Sequence, residues 1–280
     1  MISKKIVLFI VISFLTGLLL VPKSVTVFDN TQYVELPILM YHSVLKDTSR
    51  TGKYIITPEI IVQDILYLQK NGYETISAKQ LVRFVLNGEA LPEKPVMLTF
   101  DDGMYNNLLY VVPILEKYNA HAIFSVVGSY TDEYSKSDIV NPAYSYMRWC
   151  DIKSLAFSEN VEFANHSYNL HSTSQGRYGV KKKKGETALE YYNFFQNDTK
   201  KLQSEFLSNC NFEPFIYTYP LGGYSAESTR VIEKMGFLIS FSCIEGINNI
   251  SENADCLHLL KRYNRDGRLS SLEFFKKTGI

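Results

Sequence analysis

Short apolar runs alternate with amphipathic segments along most of the chain, and this alternation limits the possible folds more than any other feature. Short apolar runs bounded by turn residues are typical of buried strands. We predict strands at 36–41, 96–100, 122–127, 161–164 and 215–219, separated by helices. This order indicates an α/β domain of parallel strands with helices packed outside, either as an open sheet or as a barrel. In both cases a site is expected beyond the carboxyl ends of the strands.

Helix boundaries carry their own signals. Ser77 and Gln80 have the spacing of a capping box, and they predict the start of a helix that ends at Gly88. A long polar stretch at 186–207 and a short one at 272–277 also predict helices. No repeat or linker divides the chain after its first residues, so we predict one domain over 26–280.

The first 25 residues differ in composition from the rest. Lys4 and Lys5 precede an apolar run at 6–21, which is the pattern of an export signal. We therefore predict that 1–25 is either a cleaved signal peptide or an uncleaved membrane anchor. We favour the anchor because no good small-residue cleavage site follows. The two lysines favour the inner side of the membrane, so the domain is expected to be exported: on the extracellular face of the membrane, in the cell wall or secreted.

Charge and cysteine usage exclude some classes of function. Lys plus Arg equals Asp plus Glu, 29 against 29, so no strong field attracts nucleic acid. The four cysteines have no C-x-x-C spacing, which argues against a thiolate zinc site. Export permits disulfides, and free buried thiols are equally compatible with the sequence. The cysteines are Cys150, Cys210, Cys243 and Cys256. Nothing in the sequence indicates an oligomeric state.

Chemically useful side chains follow the predicted strands. His42 follows the first, Asp101 and Asp102 follow the second, and His166 follows a later one, with His171 five residues on. Two imidazoles and a carboxylate suit a zinc-type ion with open positions. Neighbouring aspartates at a strand end point apart, so one can bind metal while the other acts as a base. Each feature alone has an ordinary structural explanation, but together they favour a site.

Hydrolysis of an amide also needs an acid, because the departing amine must be protonated. His42 lies at the same predicted edge and is not needed as a ligand, so it is the candidate acid.

The segments 98–103, 113–118 and 122–128 together resemble the first motif of the polysaccharide deacetylases, the NodB-homology or carbohydrate esterase 4 family. The resemblance extends over about 36–262. It implies a distorted, incomplete (β/α) barrel with a single divalent metal, often zinc. It also implies that Asp101 is the catalytic base and that Asp102 is a metal ligand.

The second motif is one residue longer than in most members of that family, with His166 and His171 at its ends. The opening segment 37–42 resembles the poly-N-acetylglucosamine deacetylase subgroup, in which the second motif has this longer spacing. The early histidine of that subgroup is the general acid, and the resemblance implies the same role for His42.

The third motif departs from the family pattern. Thr218 stands where members usually place an arginine that orients the base, and the resemblance places the backbone amide of Leu221 as the oxyanion donor. Arg262 lies in a late motif of the subgroup. It is expected either to orient Asp101 or to form an ordinary salt bridge. His258 is the nearest counterpart of the usual late-motif acid, but we expect it to be structural.

These features predict a metal-dependent hydrolase that removes N-acetyl groups from an extracellular or cell-wall polysaccharide containing N-acetylglucosamine. We expect zinc as the metal ion and an acetylated polysaccharide as the substrate partner. We also expect the N-terminal segment to attach the protein to the membrane. No nucleic-acid partner is expected. The alternatives are a catalytically weak glycan-binding domain and an O-acetyl esterase on the same fold.

Overall fold

A parallel sheet of eight strands is the centre of the computed structural model, which describes residues 33–280. The strands of this region are β1 (Val34–Leu36), β2 (Ile38–Tyr41), β3 (Ser43–Val44), β4 (Ile55–Ile56), β5 (Glu74–Thr75), β6 (Pro95–Phe100), β7 (Ala122–Val126), β8 (Val161–Asn165), β9 (Ile216–Thr218), β10 (Ile239–Phe241), β11 (Asn248–Ile250) and β12 (Tyr263–Asn264). The sheet has the order β10-β9-β8-β7-β6-β2-β12, and β5 pairs with the start of β6. Every neighbouring pair in it is parallel.

One segment spans the two edges of this sheet. Leu260 forms a parallel bridge with Phe241 of β10, and Tyr263 pairs with Leu39 of β2. The chain between them therefore connects the first strand of the order to the last. This short connection in place of a full strand makes the sheet a distorted, incomplete barrel, as predicted, and carries Arg262 into its interior.

The helices pack outside the strands. They are α1 (Pro58–Lys70), α2 (Ala78–Asn87), α3 (Val112–Tyr118), α4 (Gly128–Tyr134), α5 (Trp149–Ser154), α6 (Ala188–Cys210), α7 (Ala226–Lys234) and α8 (Ser271–Thr278). The predicted capping box of Ser77 and Gln80 is confirmed, and Gly88 ends α2 in the left-handed conformation with φ of 70°. The predicted helix at 186–207 begins two residues later, because Thr187 is the residue whose side chain caps its amino end.

The predicted strand at 36–41 is divided in two. Pro37 has no N–H to donate and separates β1 from β2. β1 leaves the barrel and pairs antiparallel with β11, whereas β2 enters the main sheet beside β6. The division leaves His42 at the carboxyl end of a strand, as predicted.

Both faces of the sheet are buried, which is usual for parallel strands covered by helices. All six residues of β6 are buried. Leu98 and Phe100 belong to the cluster that packs against the helices, and Met97 belongs to a second cluster with Ile123 and Ile239. The rigid strands thus define where their carboxyl ends, and the side chains that follow them, can lie.

A buried ion pair joins the end of the barrel to α1. Arg265 Nε donates to Asp64 Oδ2 at 2.8 Å, and neither side chain is exposed to solvent. The Tyr41 hydroxyl donates to the same carboxylate at 3.1 Å. Because both charges are paired and hydrogen-bonded, the pair is tolerated in the interior.

All four cysteines are free thiols, but only Cys210 is buried as the free-thiol alternative expected, whereas Cys256 is partly buried and Cys150 and Cys243 are exposed. Within 33–280, no helix is both long enough and apolar enough to cross a membrane. The predicted export segment at 1–25, and the predicted domain boundary at residue 26, lie outside the described residues.

Candidate active site

The predicted site residues meet at one edge of the sheet. His42 follows β2, Asp101 and Asp102 follow β6, and His166 follows β8. β2 and β6 are neighbours, and only β7 separates β6 from β8. Since all these strands are parallel, their carboxyl ends open on the same side, and residues distant in sequence are brought together there.

The two aspartates turn in opposite directions. Asp102 adopts the left-handed conformation with φ of 75°, and Gly103 follows it at 70°. Aspartate tolerates this conformation better than most residues, and glycine adopts it freely. As a result, Asp101 contacts Arg262 while Asp102 faces His166 and His171.

Asp102, His166 and His171 form a group that fits one metal ion. Asp102 Oδ1 lies 3.2 Å from His171 Nε2 and 3.7 Å from His166 Nε2. The three ligand atoms all lie within 4.8 Å of one another. In a tetrahedral zinc site with bonds of roughly 2.0–2.1 Å, ligand atoms lie about 3.3 Å apart. The spacing therefore suits a zinc-sized ion.

Unused hydrogen-bonding capacity supports the same fit. Asp102 Oδ1 is buried and has no hydrogen-bond partner within the described chain, although two imidazoles face it. A buried carboxylate oxygen without a partner is unfavourable, and a cation between the three groups would satisfy it.

A backbone carbonyl fixes the orientation of His166. His166 Nδ1 lies 2.8 Å from the carbonyl oxygen of Thr218. A carbonyl only accepts, so Nδ1 carries a proton, and in the neutral ring Nε2 then directs its lone pair at Asp102 and His171. This arrangement is the usual support for a metal-binding histidine.

Arg262 forms a bidentate ion pair with Asp101. Nη1 donates to Asp101 Oδ1 and Nη2 donates to Oδ2, both at 2.8 Å. The same guanidinium donates to the Ser242 carbonyl and the Thr99 hydroxyl at 2.9 and 3.0 Å. Arg262 is fully buried and Asp101 is 2% exposed. The carboxylate is therefore held in one orientation.

The electrostatics keep Asp101 ionised. Burial is the largest single effect and acts to raise the pKa of Asp101, but the charge and hydrogen bonds of Arg262, together with His166 and His42, outweigh it, so the pKa is lowered well below the ordinary value. A carboxylate that is ionised throughout the neutral range can accept a proton.

His42 lies beside the same charges without a hydrogen-bonded partner. Its Nδ1 is buried and makes no hydrogen bond within residues 33–280. Its ring packs edge-on against Tyr54, with 4.8 Å between centroids. Burial lowers the pKa of His42, and the charges of Asp101 and Asp102 only partly oppose this. The protonated ring is thus a strong acid that is sparsely populated at neutral pH.

Leu221 also reaches this edge. It follows β9 by three residues in the left-handed conformation with φ of 56°, and its carbonyl accepts a hydrogen bond from the Tyr178 hydroxyl at 3.0 Å. The neighbouring Gly222 leaves no room for a side chain, because an added Cβ would lie 2.8 Å from that of Cys243. The turn that presents Leu221 is thus packed closely against Cys243, which follows β10 and contacts Arg262 through its sulfur.

A family model described as polysaccharide deacetylase matches residues 88–239, more than half of the chain. The matched region contains both aspartates, both candidate histidine ligands and Leu221. The chain belongs to the polysaccharide deacetylase family.

Relatives with curated names agree with this membership. The poly-beta-1,6-N-acetyl-D-glucosamine N-deacetylase of Escherichia coli is 25% identical over 233 residues, which are 76% of this chain and 34% of that protein. This chain thus spans about a third of the length of that relative. A putative polysaccharide deacetylase of Bacillus subtilis is 25% identical over 81% of this chain and 71% of its own length.

A solved structure shares the fold. The de-N-acetylase from Aggregatibacter actinomycetemcomitans superposes with a TM-score of 0.72 at 24% identity, over 86% of this chain and 99% of that one. The predicted barrel of the NodB-homology type is confirmed.

Several groups close to the candidate site were not expected from the sequence. The rings of Tyr130 and Tyr146 pack at a tilt of 41° with 4.5 Å between their centroids, and the ring centroids of Tyr130 and His171 are 6.2 Å apart. Burial and the charge of Asp102 raise the pKa of both tyrosines. The position of Tyr130 just after β7 was the one available signal. The carbonyl of Thr218 could not have been found, because a backbone contact leaves no trace in residue type.

The two remaining histidines and the tryptophan lie apart from the metal candidates. His121 Nδ1 contacts the Glu159 carbonyl at 2.9 Å, at the opposite end of β7. His258 approaches Ser240 at 3.5 Å and has no contact with Asp101 or Asp102. Trp149 is buried at the start of α5, where its indole N–H donates to Asp132 at 2.8 Å. Its ring also packs edge-on against Phe206, with 5.4 Å between centroids.

Proposed function

We propose that the chain is a metal-dependent N-deacetylase that acts on N-acetylglucosamine residues of an extracellular or cell-wall polysaccharide. The observation that carries the proposal is a metal-binding triad beside a separate, buried and ionised carboxylate at the open end of a deacetylase barrel. The similarity to the Escherichia coli poly-beta-1,6-N-acetyl-D-glucosamine N-deacetylase supports the substrate class.

Asp102, His166 and His171 would hold one divalent ion, with zinc as the expected metal because of its preference for imidazole and carboxylate ligands in an open site. Such an ion would supply an activated water and an electrophile for the acetamide.

Asp101 takes the proton from the attacking water in the proposed reaction. Arg262 keeps that carboxylate ionised and directs it, a role that the family pattern gives to an arginine at the position of Thr218. The guanidinium of Arg262 therefore contacts the base, Asp101, from a later segment of the chain than the one that contains Thr218.

His42 donates a proton to the departing amine, and the amide of Leu221 donates to the developing oxyanion. The absence of a hydrogen bond to His42 Nδ1 within the described chain leaves that nitrogen available for exchange with solvent or substrate. The lowered pKa favours proton release once the ring is protonated.

The exported location remains a proposal from the sequence. We infer that 1–25 carries the catalytic domain across the membrane and holds it there, because a lysine pair precedes an apolar run. Fractionating cells and sequencing the mature amino terminus tests this, and a new terminus near residue 25 would favour a cleaved signal.

Acetate release tests the proposed activity against its alternatives. The substrates are a β-1,6-linked N-acetylglucosamine oligomer and an O-acetylated sugar of similar size, each with zinc and with chelator. An N-deacetylase releases acetate from the oligomer and leaves free amines. Release from the ester alone would favour an O-acetyl esterase, and binding without release from either would favour a glycan-binding domain.

A further inference from the structure

The loop between His166 and His171 is held by an unusual set of hydrogen bonds. Four consecutive backbone amides, those of residues 167–170, each donate to a side-chain oxygen. Ser167 donates to Asn165, and Leu170 donates to Ser167 at 3.1 Å. The first amides of α4 donate to the carbonyls of Ser167 and Tyr168, but within the described chain the four loop amides themselves are satisfied by side chains.

Asp198 accepts the two central bonds of that set. Its Oδ1 accepts from the Tyr168 amide at 2.8 Å, and its Oδ2 accepts from the Asn169 amide at 2.9 Å. These two residues are the midpoint of the segment that joins the histidines. One carboxylate thus fixes both central peptide units at once.

The helix that carries Asp198 is firmly attached to β8. Asn165 donates to the Thr199 carbonyl and to Gln203 Oε1, both at 3.1 Å, so α6 is joined to the end of the strand that leads into His166. Thr199 is completely buried. Asp198 therefore acts from a rigid element.

Packing alone does not hold the loop. A cavity of about 250 Å³ lies beside it, with Asn169, Leu170 and Asp198 in its wall. Leu170 is packed in an apolar cluster with Tyr191 and Phe195, whereas Asn169 is exposed and is held by its hydrogen bond to Asp198.

We propose that Asp198 is a positioning residue that sets the distance between the two histidine ligands and thereby the affinity for the metal. This inference rests on the proposed metal site of Asp102, His166 and His171. It also gives a physical reason why the longer spacing of the second motif is workable: the additional residue lies in a segment whose amides are anchored to α6.

The test is the zinc dissociation constant of the purified protein, measured by competition with a chromogenic chelator. The variants are Asp198→Asn, which keeps one acceptor oxygen, and Asp198→Ala, which keeps none. Loss of a supporting contact typically weakens metal binding by roughly 10–100-fold. We expect the zinc dissociation constant to rise by about 10-fold in Asp198→Asn and by about 100-fold or more in Asp198→Ala.

Glu162 offers a matched control. Its partly buried carboxylate also accepts from two consecutive backbone amides, those of Ala78 and Lys79, and burial likewise raises its pKa. It lies near the start of β8, at the end of the barrel opposite to the site. Glu162→Gln should change the free energy of unfolding to a similar degree as Asp198→Asn and leave the zinc dissociation constant unchanged.

The outcomes separate the two proposals. Tight zinc binding by the wild type, with the same dissociation constant in folded Asp198→Asn, would overturn the positioning role alone. Equal weakening in Glu162→Gln would also overturn it, because loss of stability would then explain the effect. A wild type that binds no zinc would contradict the proposed metal site itself.

Discussion

Replacing Arg262 with glutamine should move the acid limb of the pH–rate profile to higher pH. Arg262 makes two hydrogen bonds of 2.8 Å to Asp101, and the pair is completely buried. A hydrogen bond to a charged group contributes roughly 1.5–3 kcal/mol, so losing two removes at least about 3 kcal/mol of stabilisation of the carboxylate. One pKa unit corresponds to about 1.4 kcal/mol, which gives a rise of about two units.

The direction of the pKa shift follows from the effects that still act on Asp101 after Arg262 is replaced. Burial still acts to raise the pKa of Asp101, and the opposing charge of Arg262 is gone. Because the base acts only when ionised, kcat/KM should fall at acidic pH, in the range where an ordinary carboxyl group titrates, and recover as the pH rises towards neutral. Arg262→Lys keeps the charge without the two-pronged geometry and should show a smaller shift.

Arg265 provides the control. It forms a buried pair with Asp64 that has no contact with the site. Breaking either pair should reduce the free energy of unfolding by about 3–5 kcal/mol, measured with urea. Only Arg262→Gln should shift the pH profile of acetate release. An unshifted profile in that variant, or an equal shift in Arg265→Gln, would refute the assignment of Arg262 as the partner of the base.

Three further predictions concern single residues. His42→Ala should lose about 100-fold or more in kcat on an N-acetyl sugar but much less on p-nitrophenyl acetate, because only the departing amine needs a proton. Equal losses in kcat on both substrates, with normal metal content, would exclude the acid role. Asp101→Asn should retain zinc, measured by elemental analysis, and lose turnover, and near-normal kcat would show that it is not the base. Burial raises the pKa of Asp198 from 3.8 to about 6. The folded wild type should therefore gain free energy of unfolding relative to Asp198→Asn below pH 4 and lose it as the pH rises to 6, by on the order of 3 kcal/mol. A difference between wild type and Asp198→Asn that does not change with pH in urea unfolding would contradict this.

The position of the site was predictable because strand ends are visible in sequence. His42, Asp101, Asp102 and His166 each follow an apolar run, and parallel strands bring their carboxyl ends together. The side chains of the two aspartates are separated by a left-handed turn at Asp102. The glycine that follows Asp102 is a residue typical of such turns. These inferences depend on local patterns, which a single sequence records.

Long-range partners were harder to predict. The sequence allowed Arg262 to be either the orienting group or an ordinary ion pair, because its contact with Asp101 spans 161 positions and depends on how the barrel closes. Asp198 gave no signal, since an acidic residue on a polar helix is usually solvated. The break at Pro37 diverted β1 from the sheet through pairing with β11, which no local pattern indicates.

The central claim is tested most directly by restoring zinc to metal-free protein while measuring acetate released from a β-1,6-linked N-acetylglucosamine oligomer. The rate should start near zero, rise with added zinc and level off at one ion per chain. Asp102→Ala, which lacks one of the three ligands, should require far more zinc or stay inactive at the same additions. Full activity in the metal-free protein, or no acetate at saturating zinc from folded wild type, would contradict a metal-dependent deacetylase.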